Sequence, residues 1–449
     1  MERIRDLEAR LAQNSSNSSL PPSSDLPNAP PLPKRESTGR KRGGQPGHPK
    51  HERTMLPPER ITKTTELKTV ACRRCRKVLT GNDPHPLCHQ VIEIPRMVAT
   101  AEEFRLHSLF CEDCKLFTRA ELPPGDPVGN FGPRLQAMTG LCSGEYHLSK
   151  RMVEEMASDF FDVDISLGSV SNLENDTSEA LAEPVAEVAA HAKEAPLKHA
   201  DETGWTEAKH RAWLWVVVTA HVVVFAIRRS RGAIVAKELL GVRFKGILHS
   251  DRWSAYNWVK TTMRQLCWAH LIRHFIGFED RGPEGERIGL ALQACCQRMF
   301  HYWHRVRDGT LQRSTFQEYM RPIRQEILDL LRQGSLCGVK GVAGRCREIL
   351  VLKDALFTFV RVAGVEPTNN AAEQAIRPAV LWRKGSFGTD SERGSRFVER
   401  ILTAVATLRL QKRNVLEYLT AACEARLHGT RPPSLLPIAQ SAQPISMGA

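Results

Sequence analysis

Between residues 197 and 251 the chain reads strand, strand, strand, helix, strand, an order that few folds can accommodate. Leu197 to Asp201, Ala212 to Thr219 and His221 to Ile227 are runs rich in Val and Trp, the last two separated by little more than a turn. Ser230 to Leu240 then reads as a helix, and Gly246 to Leu248 leads as a strand into His249-Ser-Asp251. The first and fourth strands therefore each end in an aspartate, Asp201 and Asp251. A third acid, Glu373, lies far downstream in the helix-like run Thr368-Asn-Asn-Ala-Ala-Glu-Gln-Ala-Ile-Arg-Pro378.

This order is that of an α/β, ribonuclease-H-like mixed sheet, in which the first and fourth strands are neighbours. Asp201 and Asp251, fifty positions apart, would then meet at one edge. Each acid alone has a plainer explanation: an Asp at a strand end forms turns or caps helices, and Glu373 with Arg377 is an ordinary i, i+4 helix pair. Glu202 adjoins Asp201, but strand alternation turns it to the opposite face. Only the set suggests metal-dependent phosphoryl transfer on nucleic acid. A net charge of +13 and a pI near 9.3 point to the same polyanionic partner. The longest apolar run, Trp213 to Ile227, is interrupted by Thr219 and His221, so no membrane span or signal peptide is expected, and the location implied is cytoplasmic.

Along the chain, six segments follow one another: a short coiled-coil-like helix at 1–14 with Ile4, Leu7 and Leu11 at helical spacing; a Ser/Pro-rich and basic linker at 15–65; a zinc-binding domain at 66–125; a helical, helix-turn-helix-like segment at 126–195; the catalytic domain at 196–395; and C-terminal helices with a disordered tail at 396–449. In the linker, Arg40, Lys41 and Arg42 sit among glycines, as a flexible strand lying on DNA phosphates would require. Twelve cysteines in a reducing compartment direct attention to spacing rather than disulfides. Cys72-Arg-Arg-Cys75 and Cys111-Glu-Asp-Cys114 offer the four thiolates of a structural zinc site, with Cys88 and His89 able to replace a ligand. His147 to Leu173 reads as two helices capped by Ser149 and Ser166, a helix-turn-helix-like pair whose second helix carries Ser169, Ser171 and Asn172; DNA contact and simple packing are both open to it.

The blocks His199-Ala-Asp-Glu-Thr-Gly-Trp205, Gln265-Leu-Cys-Trp-Ala-His270, Asn369-Asn-Ala-Ala-Glu-Gln-Ala-Ile-Arg-Pro378 and Lys384-Gly-Ser-Phe-Gly-Thr389 resemble the transposases of the insertion sequence 66 family. The Asn14-Ser-Ser-Asn-Ser-Ser19 tract, the Gly-Arg-Lys-Arg-Gly-Gly-Gln-Pro-Gly-His run and the paired C-x-x-C motifs stand in that family's order, so the resemblance runs to about Leu427. It implies a DDE transposase with the triad Asp201, Asp251 and Glu373. Two Mg²⁺ or Mn²⁺ ions about 3.5–4 Å apart would activate water or a DNA 3′-hydroxyl and stabilise the leaving oxygen. Expected partners are element ends and target DNA in the bacterial nucleoid, further copies of the chain, and possible accessory proteins of the same element, with no membrane.

Around the triad, Asn370 could orient Glu373, Arg377 could neutralise the scissile phosphate, and Arg383 and Lys384 read as backbone clamps in a Gly-punctuated turn. His270 reads as a supporting residue, and Cys267 with His270 as structural rather than as metal ligands; Trp268 reads as core. Apolar faces between residues 276 and 366 indicate a packed helical insertion, with Cys295, Cys296, Cys337 and Cys346 as buried thiols. Against the enzyme stands a second reading, a non-catalytic zinc-containing DNA-binding protein with an inactive core of the same fold.

Overall fold

The computed structural model describes residues 53–437 except Pro124, Pro127 and Val128, together with Glu8, residues 13–15, Asn17 and Ser18. Most of the expected N-terminal helix and the Arg40, Lys41 and Arg42 segment thus lie outside the described residues. The chain divides into two compact units, residues 31–99 and the remainder. In the smaller one, Ala71 and Val78 form an antiparallel bridge around a turn closed by Arg76 N–H donating to the Cys72 carbonyl at 2.9 Å. In the larger, β1 (Ser108–Cys111) and β2 (Leu116–Arg119) make a hairpin whose turn carries Cys111 and Cys114.

Four helices follow: α1 (Pro133–Gly144), α2 (Lys150–Phe161), α3 (Leu167–Ala180) and α4 (Ala182–Glu194). The two caps read from sequence are present. Ser149 accepts the Met152 N–H, Ser166 accepts the Ser169 N–H, and Asp162, left-handed at φ 57°, ends α2. Cys142, Val153, Ala157, Ile165, Val170 and Leu173 pack between these helices. Asn172 is exposed, whereas Ser171 is bonded by Lys150 Nζ at 2.7 Å.

The sheet consists of β3 (Leu197–Glu207), β4 (His210–Val218), β5 (Val223–Arg228), β6 (Ile247–Ser250) and β7 (Arg264–Leu266), with α5 (Ala233–Leu240) between β5 and β6. Its order is β5-β4-β3-β6-β7. The hairpins β3–β4 and β4–β5 are antiparallel, while β3–β6 and β6–β7 are parallel. Strand β7 was not legible because three residues are too few for any periodicity. Along β4, Leu214 and Val216 face one core and Trp215 and Val217 the other. Burial on both faces explains why this run is apolar without alternation.

Helices α6 (Trp268–Glu279), α7 (Pro283–Arg307), α8 (Arg313–Leu336), α9 (Val342–Val351) and α10 (Thr358–Arg361) follow β7; α7 to α10 and the end of α6 fall within the 276–366 span read as a helical insertion. They pack around their own core of Phe275, Leu292, Cys296, Phe316, Ile327 and Phe359. Of the insertion's cysteines, Cys295, Cys296 and Cys346 are buried and Cys337 is half-buried. The Asn/Ser tract departs from the linker expected there. Ser18 is buried, its hydroxyl donating to the Asn14 carbonyl at 2.6 Å, and Asn17 Nδ2 reaches Asp280 at 3.4 Å.

The chain ends in α11 (Asn370–Ser386), α12 (Glu392–Leu410) and α13 (Val415–Leu427). Helix α12 covers the open edge of β5 in a way that follows from two periods. Outward N–H groups recur every two residues on β5, at Val223, Phe225 and Ile227. Acceptors recur every four on α12, so Thr407, Thr403 and Glu399 take them in turn at 3.0, 2.9 and 2.5 Å. The expectation of disorder past His428 is corrected for residues up to 437: Leu435 is fully buried and Tyr418 donates to the Pro433 carbonyl at 2.5 Å, because an apolar anchor offsets the ordering of a short polar segment. Residues 438–449 lie outside the described residues.

Thr403→Val keeps the shape of the side chain and strands the Phe225 N–H. A loss of about 1–3 kcal/mol of stability is expected from denaturant unfolding, and an unchanged midpoint would show that the edge does not depend on this contact.

Candidate active site

The pairing of β3 with β6 decides where the two aspartates go. Leu197 stands opposite Ile247, Lys198 opposite Leu248 and His199 opposite His249, a constant offset of fifty positions. Carried two residues further, the same offset sets Asp201 against Asp251 just past the end of β6. Gly246, at φ 93°, permits this pairing: a Cβ there would lie 2.1 Å from the Pro196 carbonyl oxygen. Glu373 comes from the first turn of α11, where the helix dipole favours a carboxylate.

The three acids act on one another. Burial first, then the negative charges of Glu202, Asp251 and Glu373, hold the Asp201 carboxyl well above the usual carboxylate range. Its Oδ1 accepts the Glu202 N–H at 2.9 Å, while Asp251 Oδ1 accepts the Trp253 N–H at 2.8 Å. Glu202 faces away, as strand alternation requires. Its buried carboxylate takes Tyr256 Oη at 2.5 Å and Arg231 at 2.8 Å, and burial together with Asp251 pushes it up to about 7.

Beneath the aspartates lies a buried polar layer absent from the sequence reading. His199 Nδ1 is 3.1 Å from Asn369 Oδ1 and 3.1 Å from His249 Nδ1. Asn369 Nδ2 donates to the Ala200 carbonyl at 2.9 Å, which fixes the amide so that its oxygen faces His199 as acceptor. The Asn369 backbone N–H donates to Cys267 Sγ at 3.2 Å. Burial holds both imidazoles below their ordinary range, so both rings are neutral near pH 7. Asn369 is thus held to β3, while its own backbone starts the helix that carries Glu373. The signal was present in sequence as His199 and His249 two residues before each aspartate.

Cys267 is the N-cap of α6, and His270 lies in that helix's first turn. Cys267 Sγ is 3.6 Å and His270 Nδ1 3.5 Å from Glu373 Oε1, and one ligand atom from each of the three lies within 4.8 Å of the others. Burial and Glu373 push the Cys267 thiol up to about 12. Trp268 is fully buried and donates to the Leu356 carbonyl at 2.8 Å, as a core residue.

The supporting residues read from sequence are placed unevenly. Asn370 is exposed, and no hydrogen bond joins it to Glu373 among the described residues; the neighbouring Asn369 makes the buried contacts instead. Arg377 and Lys384 are exposed on α11. Arg383 is half-buried, still helical rather than in a turn, and donates to Thr203 Oγ1 at 3.0 Å and to the Gly204 carbonyl, so its guanidinium is committed to β3. The Lys384-Gly-Ser-Phe-Gly-Thr389 block owes its second glycine to the same strand: at Gly388, φ 117°, a Cβ would lie 2.2 Å from the Thr206 carbonyl oxygen. The four knuckle cysteines fall in both units. The Cys72 thiol is lowered by the N–H groups of Cys75 and Arg74, and that of Cys111 by those of Cys114 and Asp113. Cys88 and His89 are exposed.

Comparison with known proteins gives the chain a family. The profile described as "Transposase IS66 family" matches residues 129–397, which span β3 to α11 and hold all three acids, and the chain belongs to that family. A family of unknown function matches residues 1–54. The uncharacterized protein y4qI of Sinorhizobium fredii is 28% identical over 237 residues, covering 47% of this chain and 43% of that protein. The uncharacterized protein y4hP of the same organism is 23% identical over 398 residues, covering 78% of this chain and 69% of that one. Family membership supports a transposase role acting on DNA. Among the described residues no helix is long and apolar enough to cross a membrane.

Asn369→Ala and Asn370→Ala make a sharp pair. The first leaves His199 and the Ala200 carbonyl without their partner and should cost about 1–3 kcal/mol in denaturant unfolding; the second should cost less than about 0.5 kcal/mol. Equal effects would remove the buried layer from the account.

Proposed function

We propose that the chain is a DDE transposase with a ribonuclease-H-like core that cleaves the ends of its own DNA element and joins them to target DNA. What supports this reading is that Asp201 on β3 is buried within electrostatic reach of Asp251, just past β6, and Glu373, at the start of α11, with burial first and then neighbouring carboxylates raising its carboxyl above the usual range. Neighbouring carboxylates fit a hard divalent ion, and Asp201, Asp251 and Glu373 would hold Mg²⁺ or Mn²⁺. When bound, such ions acidify the attacking hydroxyl and stabilise the leaving 3′-oxygen. The sheet fixes the spacing of the aspartates, Tyr256 and Arg231 keep Glu202 out of the set, and Asn369 keys the helix of Glu373 to β3. Arg377 and Lys384, exposed on α11, are available to DNA phosphates. No covalent protein intermediate is required.

Asp201→Asn, Asp251→Asn and Glu373→Gln should each lower Mg²⁺-dependent cleavage and joining of duplexes bearing the element's ends by on the order of 10³-fold, about 4 kcal/mol, while DNA retention in gel-shift assays persists. Wild-type activity surviving in Asp201→Asn would sink the triad. A wild-type protein that binds end DNA and never cleaves it would favour the non-catalytic reading.

The two C-x-x-C turns are read as structural zinc ligands. Amide N–H groups already point at Cys72 and Cys111, which favours the thiolate that zinc needs. Purified protein should retain zinc through gel filtration, and Cys72→Ser or Cys111→Ser should release it, as read by atomic emission; unchanged zinc content in both variants would refute this assignment.

A further inference from the structure

The corner of the site occupied by Glu373 differs chemically from the corner occupied by the aspartates. Around Asp201 and Asp251 the donors are oxygens, which suit Mg²⁺. Around Glu373 stand a thiol and an imidazole, which hold Mg²⁺ poorly and soft or borderline ions well. The spacing is equally specific. Tetrahedral zinc with Zn–S of about 2.3 Å, Zn–N of about 2.0–2.1 Å and Zn–O of about 2.0–2.2 Å sets S···O near 3.6 Å and N···O near 3.4 Å. Cys267 Sγ and His270 Nδ1 stand 3.6 and 3.5 Å from Glu373 Oε1.

Two further observations point to a ligand. His270 Nδ1 is buried and makes no hydrogen bond among the described residues, with Glu373 Oε1 3.5 Å away, so a ring nitrogen faces Glu373 and Cys267. Backbone N–H groups also meet the Cys267 sulfur, although burial and Glu373 push its thiol up to about 12 where the knuckle thiols are lowered. The N–H groups of Ala269 and His270, two and three residues on, face its sulfur, just as those of Arg74 and Cys75 face Cys72 and those of Asp113 and Cys114 face Cys111. The Asn369 N–H adds a contact at 3.2 Å.

We propose that Cys267, His270 and Glu373 form a binding site for one thiophilic divalent cation of the zinc class, open at its fourth position, which takes Glu373 away from the Mg²⁺ set. Its regulatory consequence rests on the reading of Glu373 as a catalytic carboxylate; the site itself does not. Zinc would then inhibit the DNA chemistry in competition with Mg²⁺. Binding joins the ion to sulfur, nitrogen and oxygen and sends the Cys267 proton to solvent, with no change of oxidation state.

The test is made on the full-length protein loaded with ¹¹³Cd²⁺. Wild type should show a cadmium resonance for a single-sulfur, mixed-donor site, separate from any sulfur-rich knuckle signal, and its absence overturns the proposal without recourse to a variant. Cys267→Ser and His270→Ala should each bind one cadmium fewer per chain by atomic emission after gel filtration, while Asp201→Asn keeps the full count. An unchanged count in both ligand variants also overturns it. In end-cleavage assays, the Zn²⁺ concentration that halves wild-type activity should rise at least about tenfold when Mg²⁺ is raised correspondingly, as competition for one carboxylate requires. If no cleavage occurs under any condition, the transposase reading fails while the cadmium result still stands or falls alone.

Discussion

The parallel pairing of β3 with β6 is the constraint on which the rest depends. Parallel neighbours cannot be joined by a tight turn, so the chain must leave β3, build β4 and β5, and return through α5. That detour is the fifty-residue offset between partners, and a slip of one position would turn Asp251 to the opposite face. Register is held by what lies on the buried side: Lys198 is fully buried with Nζ donating to the Ala195 carbonyl at 2.6 Å, and Gly246 admits the Pro196 carbonyl.

A polar layer directly under the aspartates is costly unless its members satisfy one another. Here the Asn369 amide, two neutral imidazoles and the Ala200 carbonyl do so almost completely, with His249 Nε2 the ring atom left without a partner. The same contacts join β3, β6, α6 and α11, the four elements that surround the three acids. Arg264 plays a parallel part on the other side, fully buried, with Nη2 donating to the Asp251 carbonyl at 3.2 Å and to Ser250 Oγ at 3.3 Å. The aspartates are therefore positioned through neighbours one or two residues away, and Glu373 through Asn369, four residues before it.

Legibility in the sequence followed the range of the interaction. The strand order, the Ser149 and Ser166 caps and the helical insertion were readable because propensity, capping and periodicity act over a few residues. Glu202 was rightly turned away from Asp201 by alternation alone. Asn369 was passed over for Asn370 because spacing along an ideal helix favoured the i+3 neighbour, while the true constraint is a tertiary contact 170 positions away in sequence. Arg383 was read as free for DNA for the same reason; nothing local says that Thr203 and Gly204 claim it. The short β7 and the burial of Leu435 likewise depend only on what packs against them.

The insertion raises a question of assembly, since Cys267 and Asn369 must meet although 102 positions separate them. Closing a flexible loop of that size costs only slightly more than closing one half as long, about 0.6 kcal/mol per doubling, so length is not the obstacle. The obstacle is precision, because a floppy loop would leave Glu373 free to wander relative to the aspartates. Helices α6 to α10 remove that freedom by packing on a core of their own, and both ends of this body are tied beside the site: Trp268 N–H to the Pro367 carbonyl at 3.0 Å, and Asn369 N–H to Cys267 at 3.2 Å. The insertion is therefore a rigid clasp that delivers Glu373 to a fixed place, and its first turn contributes the thiol and imidazole that give this corner of the site its different chemistry.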